Sequence, residues 1–284
     1  MKSIESILRG IGQVMFQNNI YSGALFLVGI FYNSWLLGLA ALLGTIISTG
    51  AAHLLKYSKE DIQNGLYGFN GTLTGIAVFC FFEVNVISIA AWIIGSVLST
   101  IIMQLVKKFI PPFTAPFVFS TWIIIYSLIL VFNLSLLPST VNIENSFDVV
   151  KSLSNNFGQV MFQENVITGL FFLVGILVNN RLMAAYALYA AVLSTLIGWL
   201  LSEPIHSINA GIMGYNGILC ALALTGRKWK DFIWITVAVF LSILVNIKMA
   251  EVGLITLTAP FVFVTWLVWG LKQVKPINKR ELSI

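Results

Sequence analysis

Uncharged side chains that can form hydrogen bonds recur along this chain in two closely related stretches. Residues 12–30 read GQVMFQNNIYSGALFLVGI and residues 158–176 read GQVMFQENVITGLFFLVGI, identical at 13 of 19 aligned positions. Gln13 and Gln159 occupy equivalent positions, each three residues before a phenylalanine. An amide donates and accepts hydrogen bonds without carrying charge. The symmetric repetition of these amides beside phenylalanines favours a functional role for both.

Two further blocks recur in the same order. The glycine-rich block GLYGFNG at 65–71 returns as GIMGYNG at 211–217, and TAPFVF stands at both 114–119 and 258–263. Three repeated blocks indicate two copies of one structural unit. In membrane proteins such a duplication usually places the functional site at the interface between the copies.

The composition indicates that the protein is embedded in a lipid membrane. The chain is 58% hydrophobic and 10% charged, with a mean hydropathy of +0.92, whereas soluble domains are about one-quarter charged. These values predict an all-α integral membrane protein. We interpret the net charge of +5 as a signal for membrane orientation, and we expect no nucleic-acid partner.

Apolar stretches long enough to cross about 30 Å of hydrocarbon occur five times in each copy. We predict spans at 20–38, 39–57, 65–82, 85–106 and 114–134, and again at 166–180, 183–201, 211–225, 232–247 and 254–272. Because five is an odd number, the second copy must enter the bilayer in the opposite orientation. The predicted organisation is a first repeat at 1–135, an extracellular linker at 136–151 and a second, inverted repeat at 152–284.

The positive charges provide an independent test of this topology. With a cytoplasmic N-terminus, fourteen of the sixteen Lys and Arg residues fall on the cytoplasmic side, and only Lys151 and Lys248 fall outside. This distribution follows the positive-inside rule. It predicts a multi-pass protein of the cell membrane with both termini in the cytoplasm.

Each copy begins with an amphipathic stretch too short to cross the membrane, at 3–17 and 152–163. We predict that each stretch forms a re-entrant pore helix, which enters the membrane and returns. Such broken elements are tolerated only where protein or a water-filled cavity covers their polar backbone ends.

The paired QVxF, GxxG[FY]NG and TxPF blocks, present in both halves, resemble the urea transporter (urea channel) family over roughly residues 5–272. The resemblance implies ten spanning helices and two re-entrant pore helices. It also implies a homotrimer in membrane lipid, with one pore in each subunit. The implied activity is passive conduction of urea through a narrow slot, with no cofactor and no enzymatic step.

The resemblance also implies which residues line the slot: amides, flanking aromatics, apolar walls and two threonines at the constriction. These positions fall on Gln13, Phe16, Phe69, Leu73, Thr114, Gln159, Phe162, Tyr215, Leu219 and Thr258. Tyr215 departs from the expected pattern because it brings a hydroxyl to an apolar wall. Met213 also departs from it, because it replaces an aromatic residue.

The chemistry of urea agrees with this assignment. Urea is neutral and flat, and it carries four N–H groups around one carbonyl. Removing its water costs several kcal/mol unless new acceptors replace the lost hydrogen bonds. Glutamine carbonyls and the exposed ends of half-helices would supply acceptors, while phenylalanine and leucine side chains would contact the two faces. Slot width and hydrogen-bonding pattern would then determine selectivity.

Structural roles compete with these assignments. Gln13 and Gln159 could cross-link helices, and Thr114 and Thr258 could be N-caps. The remaining residues in question are two asparagines that we expect to stabilise broken backbone, four phenylalanines that we assign to the core, and a candidate pore-edge acid. They are Asn70, Asn216, Phe117, Phe119, Phe261, Phe263 and Glu164.

Three other functions are alternatives to passive urea conduction. An ion-coupled secondary transporter of a small neutral amide is the main alternative, but coupling generally requires buried acids or lysines, and Glu164 is the one acid close to the slot. An aquaporin-like channel would carry paired Asn-Pro-Ala sequences, which do not occur in this chain. An intramembrane enzyme would need a nucleophile, a base or metal ligands within the spans.

Overall fold

The computed structural model describes residues 2–138 and 146–273. Within these ranges the secondary structure is helical, and the helices of the first half are α1 (Lys2–Gln13), α2 (Ile20–Asn33), α3 (Trp35–Leu54), α4 (Lys59–Gln63), α5 (Gly68–Phe81), α6 (Val86–Val106) and α7 (Ala115–Leu130). Those of the second half are α8 (Val149–Gly158), α9 (Val166–Asn179), α10 (Arg181–Leu200), α11 (Ile205–Asn209), α12 (Tyr215–Leu224), α13 (Trp229–Glu251) and α14 (Ala259–Gln273). A single 3₁₀ turn, Gln159–Met161, extends α8. The predicted linker lies partly outside the described residues, as does the C-terminal end of the second repeat.

The order of helices repeats as the sequence does. Helices α2 and α9 each contain 14 residues, α3 and α10 each contain 20, and α4 and α11 each contain 5. Each of these pairs is separated by the same offset as the repeated sequence blocks. The two copies therefore share one order of elements.

Contacts between the halves recur with the partners exchanged. The Ser22 hydroxyl on α2 donates to the carbonyl of Gly175 on α9 at 2.7 Å, and the Thr168 hydroxyl on α9 donates to the carbonyl of Gly29 on α2 at 2.8 Å. Such reciprocity is the pattern of a two-fold interface. The inverted insertion of the second copy in a bilayer stays a prediction.

The predicted spans differ in helix length. Helices α3, α6, α10 and α13 contain 20 to 23 residues and are apolar and long enough to cross a membrane alone, since about 20 residues span 30 Å. Helices α5 and α12 contain only 14 and 10 residues. Each predicted span contains a helix, but the count of ten membrane crossings stays a prediction.

One predicted boundary is wrong. The first two spans meet at Ser34 rather than at residues 38–39, because the Ser34 hydroxyl accepts a hydrogen bond from the Leu37 amide at 3.3 Å and begins α3. Serine is a favoured N-cap residue for this reason.

The half-helices end in sharp turns, as predicted for elements that reverse. Phe16 and Phe162 have left-handed backbone conformations, with φ of 61° and 59°. In the second half, the segment Val149–Met161 meets α9 at an angle of 73°. Each half-helix also packs closely against the helix that follows it, with Gly23 against the Leu8 carbonyl and Gly169 against the Ser154 carbonyl.

Helices α5 and α12 lie at the centre of the protein. Every residue from Gly68 to Phe79 of α5 is buried, and nearly all of α12 is buried as well. Helices that are apolar on all sides occupy such positions. The central helices thus place each glycine-rich block in the buried core of its own half.

The contact at Gly23 gives a test of this packing. A Cβ at position 23 would collide with the Leu8 carbonyl, so Gly23→Ala should separate α1 from α2 and destabilise the protein by at least about 1–3 kcal/mol. Gly50→Ala is the matched control, because a Cβ on this helical glycine has no neighbouring atom within 4 Å. Thermal unfolding in detergent measures both variants, and equal melting temperatures would contradict the close contact.

Candidate functional site

Two buried threonines meet where the halves join. The hydroxyls of Thr114 and Thr258 are 2.7 Å apart and hydrogen-bonded to each other, and each residue is 1% exposed. Thr114 directly precedes α7, but its side chain forms no capping bond with that helix. The N-cap alternative is therefore wrong for Thr114. The structure places the two threonines, which the family resemblance assigned to the constriction, in direct contact.

The two glycine-rich blocks supply the capping groups instead. The side-chain carbonyl of Asn70 accepts from the Phe117 amide at 3.0 Å, and that of Asn216 accepts from the Phe261 amide at 3.1 Å. These bonds satisfy backbone groups in the first turns of α7 and α14, which have no partner within their own helices. Both side-chain amide nitrogens are buried without a hydrogen-bond partner in the described parts of the chain.

Three aromatic rings from both halves form what we call the first aromatic cluster: Phe16, Phe113 and Phe261. Their ring centroids are 5.5 to 6.2 Å apart in edge-to-face contacts, the arrangement that aromatic quadrupoles favour. Phe261 is fully buried, as expected of a core residue, yet it also touches the predicted site residue Phe16.

The second aromatic cluster consists of Phe81, Phe117 and Phe162. Phe162 lies 6.0 Å from Phe81 and 6.2 Å from Phe117, again edge to face. The contact between Phe162 and Phe117 reproduces that between Phe16 and Phe261 with the halves exchanged. Sequence reasoning missed Phe81 here, as it missed Phe113 in the first cluster.

A cavity of 160 Å³ adjoins the first aromatic cluster. It brings together four of the predicted site residues, Gln13, Phe16, Phe69 and Thr114. At about 30 Å³ for each water, this volume admits several small polar molecules. Leu73 lies one turn after Phe69 in α5 and is fully buried. It does not line this cavity.

The predicted residues of the second half are distributed differently. Phe162 belongs to the second aromatic cluster, and Leu219 is fully buried in α12. Gln159 is half-buried, as Gln13 is. The Tyr215 hydroxyl donates to the Leu257 carbonyl at 2.7 Å. Its polar atom is therefore satisfied by the turn before Thr258, which explains how a tyrosine fits where the first half has Phe69.

The two glutamine amides have different surroundings. The Gln13 amide nitrogen donates to the backbone carbonyl of Asn64 at 3.1 Å, which leaves its side-chain oxygen without a hydrogen bond among the described residues. The Gln159 side chain forms no hydrogen bond within the same ranges. The first amide is thus held by a hydrogen bond to the backbone, whereas the second has no such bond among the described residues.

A second pair of glutamines in the same blocks was missed. Gln17 is fully buried; its side-chain nitrogen donates to the carbonyl two residues earlier at 2.6 Å, and its oxygen accepts from Asn179 of the other half at 2.8 Å. Gln163 makes the equivalent bonds at 2.7 Å and, from Asn33, at 2.9 Å. These amides tie each turn to the opposite repeat, and their repetition in GQVMFQ was the available signal.

Charged groups lie away from the clusters. Glu164, the candidate pore-edge acid, is exposed just after the turn of the second half-helix. Lys107, at the end of α6, contacts Asp61 at 2.5 Å and the Tyr67 hydroxyl at 2.8 Å. Burial alone would lower the pKa of Lys107, but the bonds to Asp61 and Tyr67 outweigh it and raise the pKa above its ordinary value. This ammonium stays protonated at neutral pH.

Apolar helices of membrane-spanning length surround a centre built from amides, hydroxyls and aromatic rings. These features define a helical membrane transport protein for an uncharged solute. The sequence model of the urea transporter family matches residues 4–273. The chain therefore belongs to the urea transporter family.

Individual relatives are similar over most of the chain. Urea transporter 1 of Ovis aries is 30% identical over 313 residues, an alignment that covers 100% of this chain and 81% of the sheep protein. Urea transporter 1 of Rattus norvegicus is 31% identical over 247 residues, covering 80% of this chain and 64% of the rat protein.

Proposed function

We propose that this protein conducts urea passively across the membrane, through a narrow slot between its two halves. The observation that carries the proposal is the hydrogen-bonded pair of Thr114 and Thr258, which lies between α7 and α14 at the junction of the halves. Both threonines and both aromatic clusters are uncharged. Such a path suits a neutral solute, because it contains no fixed charge that would hold an ion.

Urea would exchange its hydration for protein acceptors along this path. Gln13 lines a small cavity, and its side-chain oxygen, which has no bond among the described residues, would accept one N–H group. The ends of the half-helices would supply further carbonyls. Phe16, Phe69, Phe162 and the buried wall residues Leu73, Tyr215 and Leu219 would contact the faces of the molecule and favour passage edge-on.

The threonine pair would form the constriction. With the two hydroxyls bonded to each other at 2.7 Å, a urea molecule must separate them before it can pass. Each hydroxyl then exchanges its threonine partner for urea, since a hydroxyl can accept an N–H group or donate to the urea carbonyl. Because lost hydrogen bonds are replaced, the barrier stays small.

Passive conduction is favoured over coupling to an ion gradient and over catalysis. Coupling requires an ionisable group on the path, and Glu164 is exposed at the turn of the second half-helix. The central groups that we assign to the path are amides, hydroxyls and hydrocarbon rings. They offer neither a base nor a nucleophile activated by one.

The assembly and the topology are part of the proposal. The family resemblance supports a homotrimer in which each subunit has its own pore. The distribution of Lys and Arg supports a place in the cell membrane with both termini cytoplasmic and the second repeat inverted. In this topology Lys107 and its partners Asp61 and Tyr67 would lie on the cytoplasmic side.

Transport by the purified protein in liposomes tests the proposed function. Stopped-flow light scattering should show rapid urea flux down its own gradient, compared with empty liposomes and with thiourea, acetamide, glycerol and water. The flux should ignore imposed pH gradients and membrane potential. Uphill accumulation driven by a proton or sodium gradient would instead establish the coupled transporter, with Glu164 the first residue to substitute.

The amides give a second test. Gln13→Leu or Gln159→Leu approximately preserves volume but removes an acceptor from the slot. Losing one hydrogen bond costs roughly 1–3 kcal/mol, so urea flux should fall on the order of 10- to 100-fold. Unchanged assembly by size-exclusion chromatography is the control. Near-normal flux in both variants would assign these amides to structural cross-linking.

The threonines give a third test. Thr114→Val and Thr258→Val each keep shape and remove one hydroxyl, so each should raise the barrier by about 1 kcal/mol and lower flux about fivefold. The double variant should conduct less than either single variant, because urea would cross the constriction without a side-chain partner. A strong effect at one position and none at the other would contradict a symmetric constriction.

A further inference from the structure

A chain of hydrogen bonds leads from a surface arginine to the Gln13 amide. Arg9 donates to the Asn18 backbone carbonyl at 3.1 Å and to its side-chain oxygen at 2.8 Å. The Asn18 side-chain nitrogen donates to the Asn64 side-chain oxygen at 3.1 Å. The Asn64 backbone carbonyl then accepts from Gln13 at 3.1 Å.

The last bond determines which end of the amide faces the cavity. A carbonyl can accept only from the nitrogen end of Gln13, so the oxygen of this amide must point away from Asn64. Asn64 is itself held in place, because it ends α4 and precedes Gly65, whose φ is +74°. A Cβ at position 65 would collide with the Gly10 amide, so this turn is docked tightly on α1.

The second half lacks this chain of bonds. Asn155, Glu164 and Ala210 stand where the first half has Arg9, Asn18 and Asn64. Alanine has no side-chain amide to receive a bond, and Asn155 donates to the Asn209 carbonyl at 2.9 Å instead. The two halves therefore differ: the Gln13 amide is hydrogen-bonded to a backbone carbonyl, and the Gln159 amide has no equivalent bond among the described residues.

We propose that Arg9 and Asn18 are positioning residues for urea recognition, which hold the Gln13 oxygen toward the permeating molecule at one end of the slot only. The proposal rests on the proposed urea conduction. A fixed acceptor favours a molecule with many N–H groups, because each N–H group that reaches the amide meets an oxygen. An amide that can rotate presents its NH₂ end part of the time, where an N–H group finds no acceptor.

Urea and acetamide distinguish the two situations. Both are small neutral amides with one carbonyl, but urea carries N–H groups on both sides and acetamide carries them on one. Loss of the fixed orientation should therefore lower urea permeability more than acetamide permeability. A general loosening of the helix would lower both permeabilities together, so the ratio reports positioning and not folding.

The experiment measures both permeabilities in proteoliposomes by stopped-flow light scattering. Arg9→Met keeps an unbranched apolar side chain and removes the guanidinium donors, and it should lower the urea-to-acetamide ratio about two- to tenfold, an effect of up to about 1.4 kcal/mol. Asn18→Ala, at an exposed position, should do the same, and Arg9→Lys should restore part of the ratio. Arg181→Met, the same chemical change at an exposed residue of the second half, should leave the ratio unchanged.

A double variant tests whether Arg9 acts through Gln13. In the Gln13→Leu background, Arg9→Met should have no further effect on the ratio, because the amide that it positions is gone. An additional decrease there, or an unchanged ratio in both Arg9→Met and Asn18→Ala, would overturn the proposal. If Arg9→Met fails to fold, as seen by size-exclusion chromatography, Asn18→Ala decides alone. Absence of urea flux in the unmodified protein would instead overturn the proposed function on which this inference depends.

Discussion

A helix that ends inside a protein leaves backbone groups that water does not reach, and the centre of this protein is built around that constraint. Both half-helices end at left-handed turns, at Phe16 and Phe162. The buried amides of Gln17 and Gln163 take up carbonyls within these turns. The start of α7 is satisfied in the same way, by Asn70 from α5. Polar groups that a soluble protein would leave to water are here bonded by side-chain amides, which explains why amides recur in the repeated blocks.

A two-fold relation also restricts which residues can occupy its axis. A residue on the axis meets its own counterpart, so the group there must be apolar or must both donate and accept hydrogen bonds. Phe26 and Phe172 meet the first condition, with ring centroids 5.2 Å apart. Thr114 and Thr258 meet the second, since two hydroxyls can bond to each other. Two ammonium groups would repel each other in the same place, and two carbonyl oxygens would have no proton to share.

Much of the fold could be predicted from the sequence because the halves repeat each other. The repeated blocks indicated that the order of helices is the same in both halves. Helix lengths were less accessible: the apolar run at 211–225 gave no sign that α12 begins only at Tyr215, after a turn in which Gly211 has a φ of +80°. A run of apolar residues predicts burial but not where the backbone first becomes helical.

Features present in only one half could not be predicted from the repeat. Phe81 and Phe113 join the aromatic clusters, but neither has an aromatic counterpart at the equivalent position of the other half. The bond from Gln13 to Asn64 was equally inaccessible, because it joins a side chain to a backbone carbonyl 51 residues away. The residue type at position 64 does not show that its backbone carbonyl accepts this bond, so only the folded structure reveals the pairing.

The reciprocal packing of the halves has a consequence for how such a protein can change. A substitution at Phe26 or Thr114 must be accommodated by its own counterpart, because the two side chains touch. Arg9 and Asn155 are equivalent in sequence but each bonds within its own half, and they have become different residues. The axis therefore keeps the two copies matched, while each end of the molecule can be altered alone. If the halves enclose the proposed slot, each of its two openings can adapt separately to the solution that it faces.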